Sequence, residues 1–311
     1  MPTDVHQHIW PPDFIESLRS RTTPPHLDGW TLHAGSEPPY EVDPADHDIA
    51  ARTRLAATDG LGLALVSLSS PLGIEYLPPA EAAPLLAAFH DGALALPAPF
   101  GVWASPCLSA PDPEAVEREL RRGCVGLQLP ATALLDAAGW TRCAPFLDVL
   151  TRHGKPLFIH PGAVRPTADA PPWWPALVPY VNQMHASWFA FRAFGRARHP
   201  RLRVCFAALA GLAPLHGERL AIRGGGRGQV DFDAFYETSS YGTRAVDAVV
   251  RAVGIDVVVG GSDRPYAPPV IPDLGAAAAI HALRITNPAR LLYGRARAVS
   301  PWRTRPEGSH S

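Results

Sequence analysis

Lysine is almost missing from this chain: of 28 basic residues in 311, Lys155 is the only lysine. A Schiff base, or a carboxylated lysine bridging two metals, would have to use that one residue. Cysteine is sparse too. Cys107, Cys124, Cys143 and Cys205 lie far apart with no C-x-x-C pair, which excludes a secreted disulfide scaffold and predicts reduced, mostly buried thiols. No charge of one sign dominates: the formal net charge of −1 leaves no electrostatic footprint for nucleic acid or an anionic membrane. No apolar run approaches the ~20 residues that span a bilayer, and no basic region followed by a long apolar stretch opens the chain. A soluble, cytoplasmic protein is expected, and a hydrophobic content of 47% argues against disorder.

What is present is an alternation of short apolar runs with longer helical patterns, the signature of parallel strands joined by helices. Strands are expected near 4–8, 63–68, 98–103, 124–129, 156–160, 202–208, 234–239 and 256–260, with helices among 46–59, 80–92, 113–122, 143–153, 179–198 and 243–252. Eight such units in one chain favour a closed, distorted (β/α)₈ TIM barrel over an open sheet. The barrel is expected to be a single domain over 1–298, with a flexible tail over 299–311. Residues 21–45 and 161–178 do not fit the repeat and read as long loops. Both leave the C-terminal ends of strands, the face on which barrel enzymes build their sites.

The chemistry-bearing residues sit at strand ends. In Asp4-Val5-His6-Gln7-His8, alternation puts His6 and His8 on one face, where two imidazoles can reach one ion. His160 ends the apolar run Phe158-Ile159-His160, and Asp263 follows Val258-Val259-Gly260-Gly261-Ser262. Strand eight closes against strand one in such a barrel, so Asp263 can approach the same point as the two histidines. Taken singly, the histidines also fit hydrogen-bonded core positions and Ser262-Asp263 fits a helix cap.

Together these motifs resemble the amidohydrolase superfamily, in the amidohydrolase 2 family related to aminocarboxymuconate-semialdehyde decarboxylase. The D-x-H-x-H, I-H-P and G-S-D-x-P strand ends match in type, order and spacing. Weaker matches lie at Leu120-Arg121 to Gly126-Leu127, at His199-Pro200-Arg201-Leu202 and at Asn287-Pro288-Ala289-Arg290-Leu291-Leu292. The resemblance implies one divalent ion, usually zinc and sometimes manganese, held by His6, His8, His160 and Asp263. It also implies a homodimer.

One position departs from that pattern. The family's sixth strand usually ends in a histidine within H-L-G-G-x-x-P, and here Ala208 stands in its place in Ala208-Leu209-Ala210-Gly211-Leu212-Ala213-Pro214. A methyl group can neither polarise a ligand nor shuttle a proton, and His216, eight residues on, is the one nearby candidate to replace it. Asp263 is then left as the catalytic proton carrier. The resemblance implies non-oxidative decarboxylation of a small aromatic or enoic carboxylic acid. Hydrolysis of a lactone, amide or ester by a metal hydroxide fits the same groups. A barrel that has lost its metal and binds a ligand, or works without one, is the third reading. Substrate contacts are expected from Arg264, Arg165, Trp10, Trp173 and Trp174, since arginine grips carboxylates and indole covers rings. Arg219 and Arg223 are candidates to reach a partner subunit.

Overall fold

The computed structural model describes residues 2–35, 37–225 and 230–267. Within them eight parallel strands follow one another around a barrel in chain order. They run Thr3–Gln7, Leu63–Val66, Phe100–Ala104, Gly126–Pro130, Leu157–His160, Val204–Phe206, Ala234–Glu237 and Val258–Val259. Strands one and eight meet through Val5 N–H to Gly260 C=O (3.0 Å), Asp263 N–H to His6 C=O (2.8 Å) and His8 N–H to Arg264 C=O (2.7 Å). Every residue of strands four, five and seven is buried, as expected where side chains fill a barrel and helices cover its outside.

All eight expected strands are present. The last is the shortest, because a 3₁₀ turn at Ile255–Val257 uses up the start of its β-branched run. The helix expected over 113–122 is Pro113–Arg122, capped by Asp112, whose carboxylate accepts from Glu114 N–H (2.9 Å) and Ala115 N–H (3.1 Å). The helix expected from 143 begins at Ala137 behind the Asp136 cap. The one expected over 46–59 divides into a turn at Pro44–His47 and a helix at Ile49–Thr58, and that expected over 179–198 is helical over Pro179–Ala190 before a π-turn.

The segment 21–45 is not the plain loop its composition suggests. His26–Asp28, Thr31–His33 and Tyr40–Glu41 form a small antiparallel sheet above the barrel mouth. Its strands are two or three residues long, too short to leave a periodicity in the sequence. The segment 161–178 is open chain apart from a single turn at Trp174–Leu177. Asn287–Leu292 and the expected tail over 299–311 lie outside the described residues.

After strand six the backbone turns left-handed over five consecutive residues, with φ of 48° at Ala208, 49° at Leu209, 55° at Ala210, 58° at Gly211 and 62° at Leu212. For residues other than glycine this costs about 1–2 kcal/mol each. Packing holds the run in place: Leu209 and Ala210 are fully buried. At Gly211 a Cβ would lie 2.6 Å from the carbonyl oxygen of Val181, so only glycine lets the helix Pro179–Ala190 come this near. Ala208 is half-buried and has little packing to lose. Ala208→Gly should therefore stabilise the protein by about 1 kcal/mol, because the strain relieved exceeds the extra chain entropy of glycine. A thermal unfolding midpoint about 2–4 °C higher than wild type is the expected readout.

Candidate metal centre

The expected ligand residues converge at the barrel mouth. His6 Nε2 lies 3.0 Å from His8 Nε2 and 3.3 Å from Asp263 Oδ1, and His8 Nε2 lies 3.1 Å from the same oxygen. One donor atom from each of His6, His8, His160 and Asp263 falls within 4.8 Å of all the others. The three histidines are buried, and the Asp263 side chain is 21% exposed. Asp263 takes a left-handed φ of 56°, a conformation aspartate tolerates better than most residues.

Hydrogen bonds on the far side of each ring settle its tautomer. His8 Nδ1 donates to Ser67 C=O (2.9 Å) and His160 Nδ1 donates to Pro161 C=O (2.7 Å). A carbonyl only accepts, so both Nδ1 atoms carry the proton and both Nε2 lone pairs face inward. His6 Nδ1 donates to Glu237 Oε2 (3.1 Å). Inward lone pairs 3.0 Å apart on His6 and His8 repel unless a cation or a proton lies between them. Nitrogen donors backed by acceptors, joined by one carboxylate, are the donor set a zinc- or manganese-like divalent ion takes. The residues present therefore fit such an ion.

Charge responds accordingly. Burial disfavours an ionised Asp263, but the imidazoles around it outweigh that and hold it down to about 2. Burial pushes His160 well below the ordinary histidine value and lowers His8. His6 moves the other way: Asp263 and Glu237 outweigh its burial and raise it.

Two carboxylates support the ligands. Glu237 ends strand seven, is fully buried, and accepts from His6 Nδ1, Ser239 Oγ (2.7 Å), Ala208 N–H (3.2 Å) and Ser239 N–H. Gly261 leaves the room it needs, since a Cβ there would sit 2.1 Å from Glu237 Oε1. The sequence reading missed Glu237, although A-F-Y-E ends an apolar strand in an ionisable residue just as L-F-I-H does at His160. Asp4, the first residue of D-x-H-x-H, braces the seam: its Oδ1 accepts from His6 N–H and Ser262 N–H, both at 3.0 Å, and its Oδ2 from Gln7 Nε2 (2.7 Å).

Above these groups opens a cavity of about 310 Å³, within the range of small-molecule sites. Ala208 lines it, so the methyl group does occupy the wall where the related pattern has histidine. His216 does not: it is exposed, with its ring 5.0 Å from that of His185. None of the expected substrate contacts lines the cavity. Arg264 turns outward to pair with Asp59, because its own backbone carbonyl is held in the seam by His8 N–H. Trp10 is fully buried behind the wall, stacked on His47 with centroids 4.5 Å apart. Arg165 is exposed, Trp173 is 54% exposed and Trp174 half-buried, all on the segment after His160. Arg219 and Arg223 are exposed on the short helix Gly217–Ile222 and its end. Tyr40, Tyr180 and Tyr266 take the lining positions instead, with Glu37.

A third buried carboxyl lies behind the wall. Ser70 Oγ donates to Glu75 and accepts from Gln128 Nε2 (2.8 Å), and burial lifts the Glu75 pKa from 4.5 to about 7. The unfolded chain ionises Glu75 near 4.5 and the folded chain near 7, so stability is lost as pH rises between those values. Glu75→Gln keeps an acceptor for Ser70 and cannot ionise. Its urea midpoint, relative to wild type, should rise between pH 4.5 and 7 and level off above, and a pH-independent difference would contradict this account. For the support of His6, Glu237→Gln should weaken divalent-metal affinity about 10–100-fold while leaving the fold intact, read by competition with a metallochromic chelator.

No protein-family model and no curated protein sequence matches the chain. Solved structures do. The apo IDCase of Metarhizium anisopliae superposes with a TM-score of 0.70 at 17% identity, over 96% of this chain and 93% of that one. The 4-oxalomesaconate hydratase LigJ of Rhodopseudomonas palustris gives 0.66 at 15% identity, over 94% and 95%. The 5-carboxyvanillate decarboxylase LigW2 of Novosphingobium aromaticivorans, with bound manganese and 3-methoxy-4-hydroxy-5-nitrobenzoic acid, gives 0.58 at 19% identity, over 80% and 79%. Over its described residues, then, the chain has the (β/α)₈ fold that these solved structures share.

Proposed function

We propose that this protein is a mononuclear metal-dependent enzyme of the amidohydrolase 2 type that decarboxylates a small aromatic carboxylic acid. The observation that carries the proposal is the inward convergence of three buried imidazoles, two of them locked by carbonyl acceptors, on the carboxylate of Asp263. His6, His8, His160 and Asp263 would hold the ion, zinc or manganese. When bound, it supplies a Lewis acid that orients the substrate carboxylate or a neighbouring phenolate and stabilises charge as CO₂ leaves.

The chain's own groups do the rest. Asp263 lies at the cavity wall with its carboxylate at the mouth of the site; ionised at neutral pH, it would take a proton from solvent or a substrate hydroxyl and pass it to the ring carbon as CO₂ leaves. Glu237 keeps His6 in one tautomer, and the carbonyls of Ser67 and Pro161 do the same for His8 and His160. Leu32, Leu72, Leu177 and Val181 line the cavity above, an apolar wall that favours an aromatic ring and disfavours bulk water. With Ala208 in the histidine's place, no second proton carrier faces the site from strand six. General acid–base help is typically worth about 10²–10⁴-fold, so the reaction leans on Asp263. A soluble, cytoplasmic homodimer is part of the same reading: the first two rest on the chain's composition, and the dimer rests on the resemblance alone.

The first test is metal content by plasma mass spectrometry. About one equivalent of zinc or manganese per chain is expected in the wild type, and most of it should be lost in His160→Ala. Screening hydroxybenzoates for CO₂ release, with lactones and amides beside them, then separates lyase from hydrolase. A wild-type protein that takes up no divalent ion would sink the proposal.

A further inference from the structure

Among the described residues the cavity wall carries one charged side chain outside the group of four ligands, and it is acidic. Glu37 comes from the excursion over 21–45 and not from a barrel strand. Its carboxylate accepts the hydroxyl of Tyr180, and both residues line the cavity. Neither lysine nor arginine lines it among the described residues. Arg264, next to Asp263 in sequence, is committed to Asp59 outside.

Charge counting then limits what fits. A divalent ion between Asp263 and the Glu237-backed His6 has its charge largely balanced already, so it can draw in one substrate carboxylate but has none to spare for a second. A second carboxylate on the same molecule would face the Glu37 carboxylate, neutral hydroxyls such as those of Tyr40 and Tyr241, and apolar walls, with no cation among the described residues to meet it. Tyr180 offers it nothing, because its hydroxyl is already donated to Glu37. The Tyr266 hydroxyl is likewise engaged with Ser69 Oγ (3.3 Å). A neutral donor such as a ring hydroxyl or an aromatic amine meets the opposite reception: an acceptor carboxylate that gains a hydrogen bond.

Building on the decarboxylase reading, we propose that the substrate is a monocarboxylic arene with a neutral hydrogen-bond-donating substituent, and that Glu37 is the residue that selects the donor and rejects a second carboxylate. Glu37 is a specificity residue of the excursion, separate from the groups that hold the ion.

The test is calorimetric binding to manganese-loaded protein, with metal content checked on every sample. The probes are 2,4-dihydroxybenzoate and 2-hydroxyterephthalate, which differ in having a hydroxyl or a carboxylate opposite the first carboxylate. Wild type should bind the dicarboxylate at least about tenfold more weakly. Glu37→Gln should bring the two acids to comparable affinity, mainly by tightening the dicarboxylate, with the metal content unchanged. Glu37→Ala should move the ratio the same way even where it disturbs Tyr180. Equal affinities in the wild type, or a ratio that neither variant alters, would overturn the role of Glu37 and leave the decarboxylase reading standing. If metal-loaded protein binds neither acid, the cavity is not a carboxylate site and both readings fall together.

Discussion

Imidazoles that turn their inward nitrogens on one another in a buried space form an unstable arrangement unless a cation or a proton lies between them, and much of the barrel mouth is organised around sustaining it. Two of the outward protons go to backbone carbonyls at Ser67 and Pro161, each one residue past the end of a strand fixed by its ladder. The third goes to Glu237, a carboxylate with no exposed surface, four hydrogen-bond donors and a glycine opposite to make room. Such outer partners fix ring orientation and raise ligand basicity, so they matter to a proposed metal site nearly as much as the ligands do. The same buried carboxylate accepts the backbone N–H of Ala208 and so ties the left-handed run after strand six to the back of His6.

That run and the empty histidine position belong together. A methyl group at Ala208 gives the cavity volume where the related pattern gives it a proton carrier, which in the proposed reaction leaves proton delivery to Asp263. The polar character of the wall comes instead from the excursion over 21–45 and from the tyrosines, chiefly Tyr40, Tyr180 and Tyr266. A barrel of this kind divides its labour. Strand ends hold the reactive group, and the insertions decide what reaches it.

The strands and the four converging residues were legible because each leaves a local mark. An apolar run that ends in histidine or aspartate is a pattern within five or six residues, and order along the chain fixes which run closes on which. Glu237 leaves the same mark at the end of A-F-Y-E, but no surrounding motif sets it apart from an ordinary strand end. The cavity contacts were not legible, for a different reason. Arg264 lies next to Asp263 in sequence, yet the backbone bond from His8 N–H to its carbonyl turns its side chain to the outside, where Asp59 waits. Proximity along the chain says nothing of direction when a strand end is pinned. Trp10 illustrates the converse: an indole just past two inward histidines packs into the core against His47 instead of facing ligand. The small sheet over His26–Glu41 was hidden by the brevity of its strands.

Asp4 joins segments 258 residues apart, since its Oδ1 takes the backbone N–H of Ser262 as well as that of His6. The bond that shuts the barrel and the bond that aligns a proposed ligand therefore share one acceptor atom. Contacts of such long sequence separation carry the largest loop-closure entropy and tend to form late. A chain still unzipped at this seam has His6 and His8 on one side and Asp263 on the other, with no common centre between them. Competence to capture an ion thus acts as a report of completed folding: partly assembled barrels, which are the ones exposed to aggregation, do not possess the site at all.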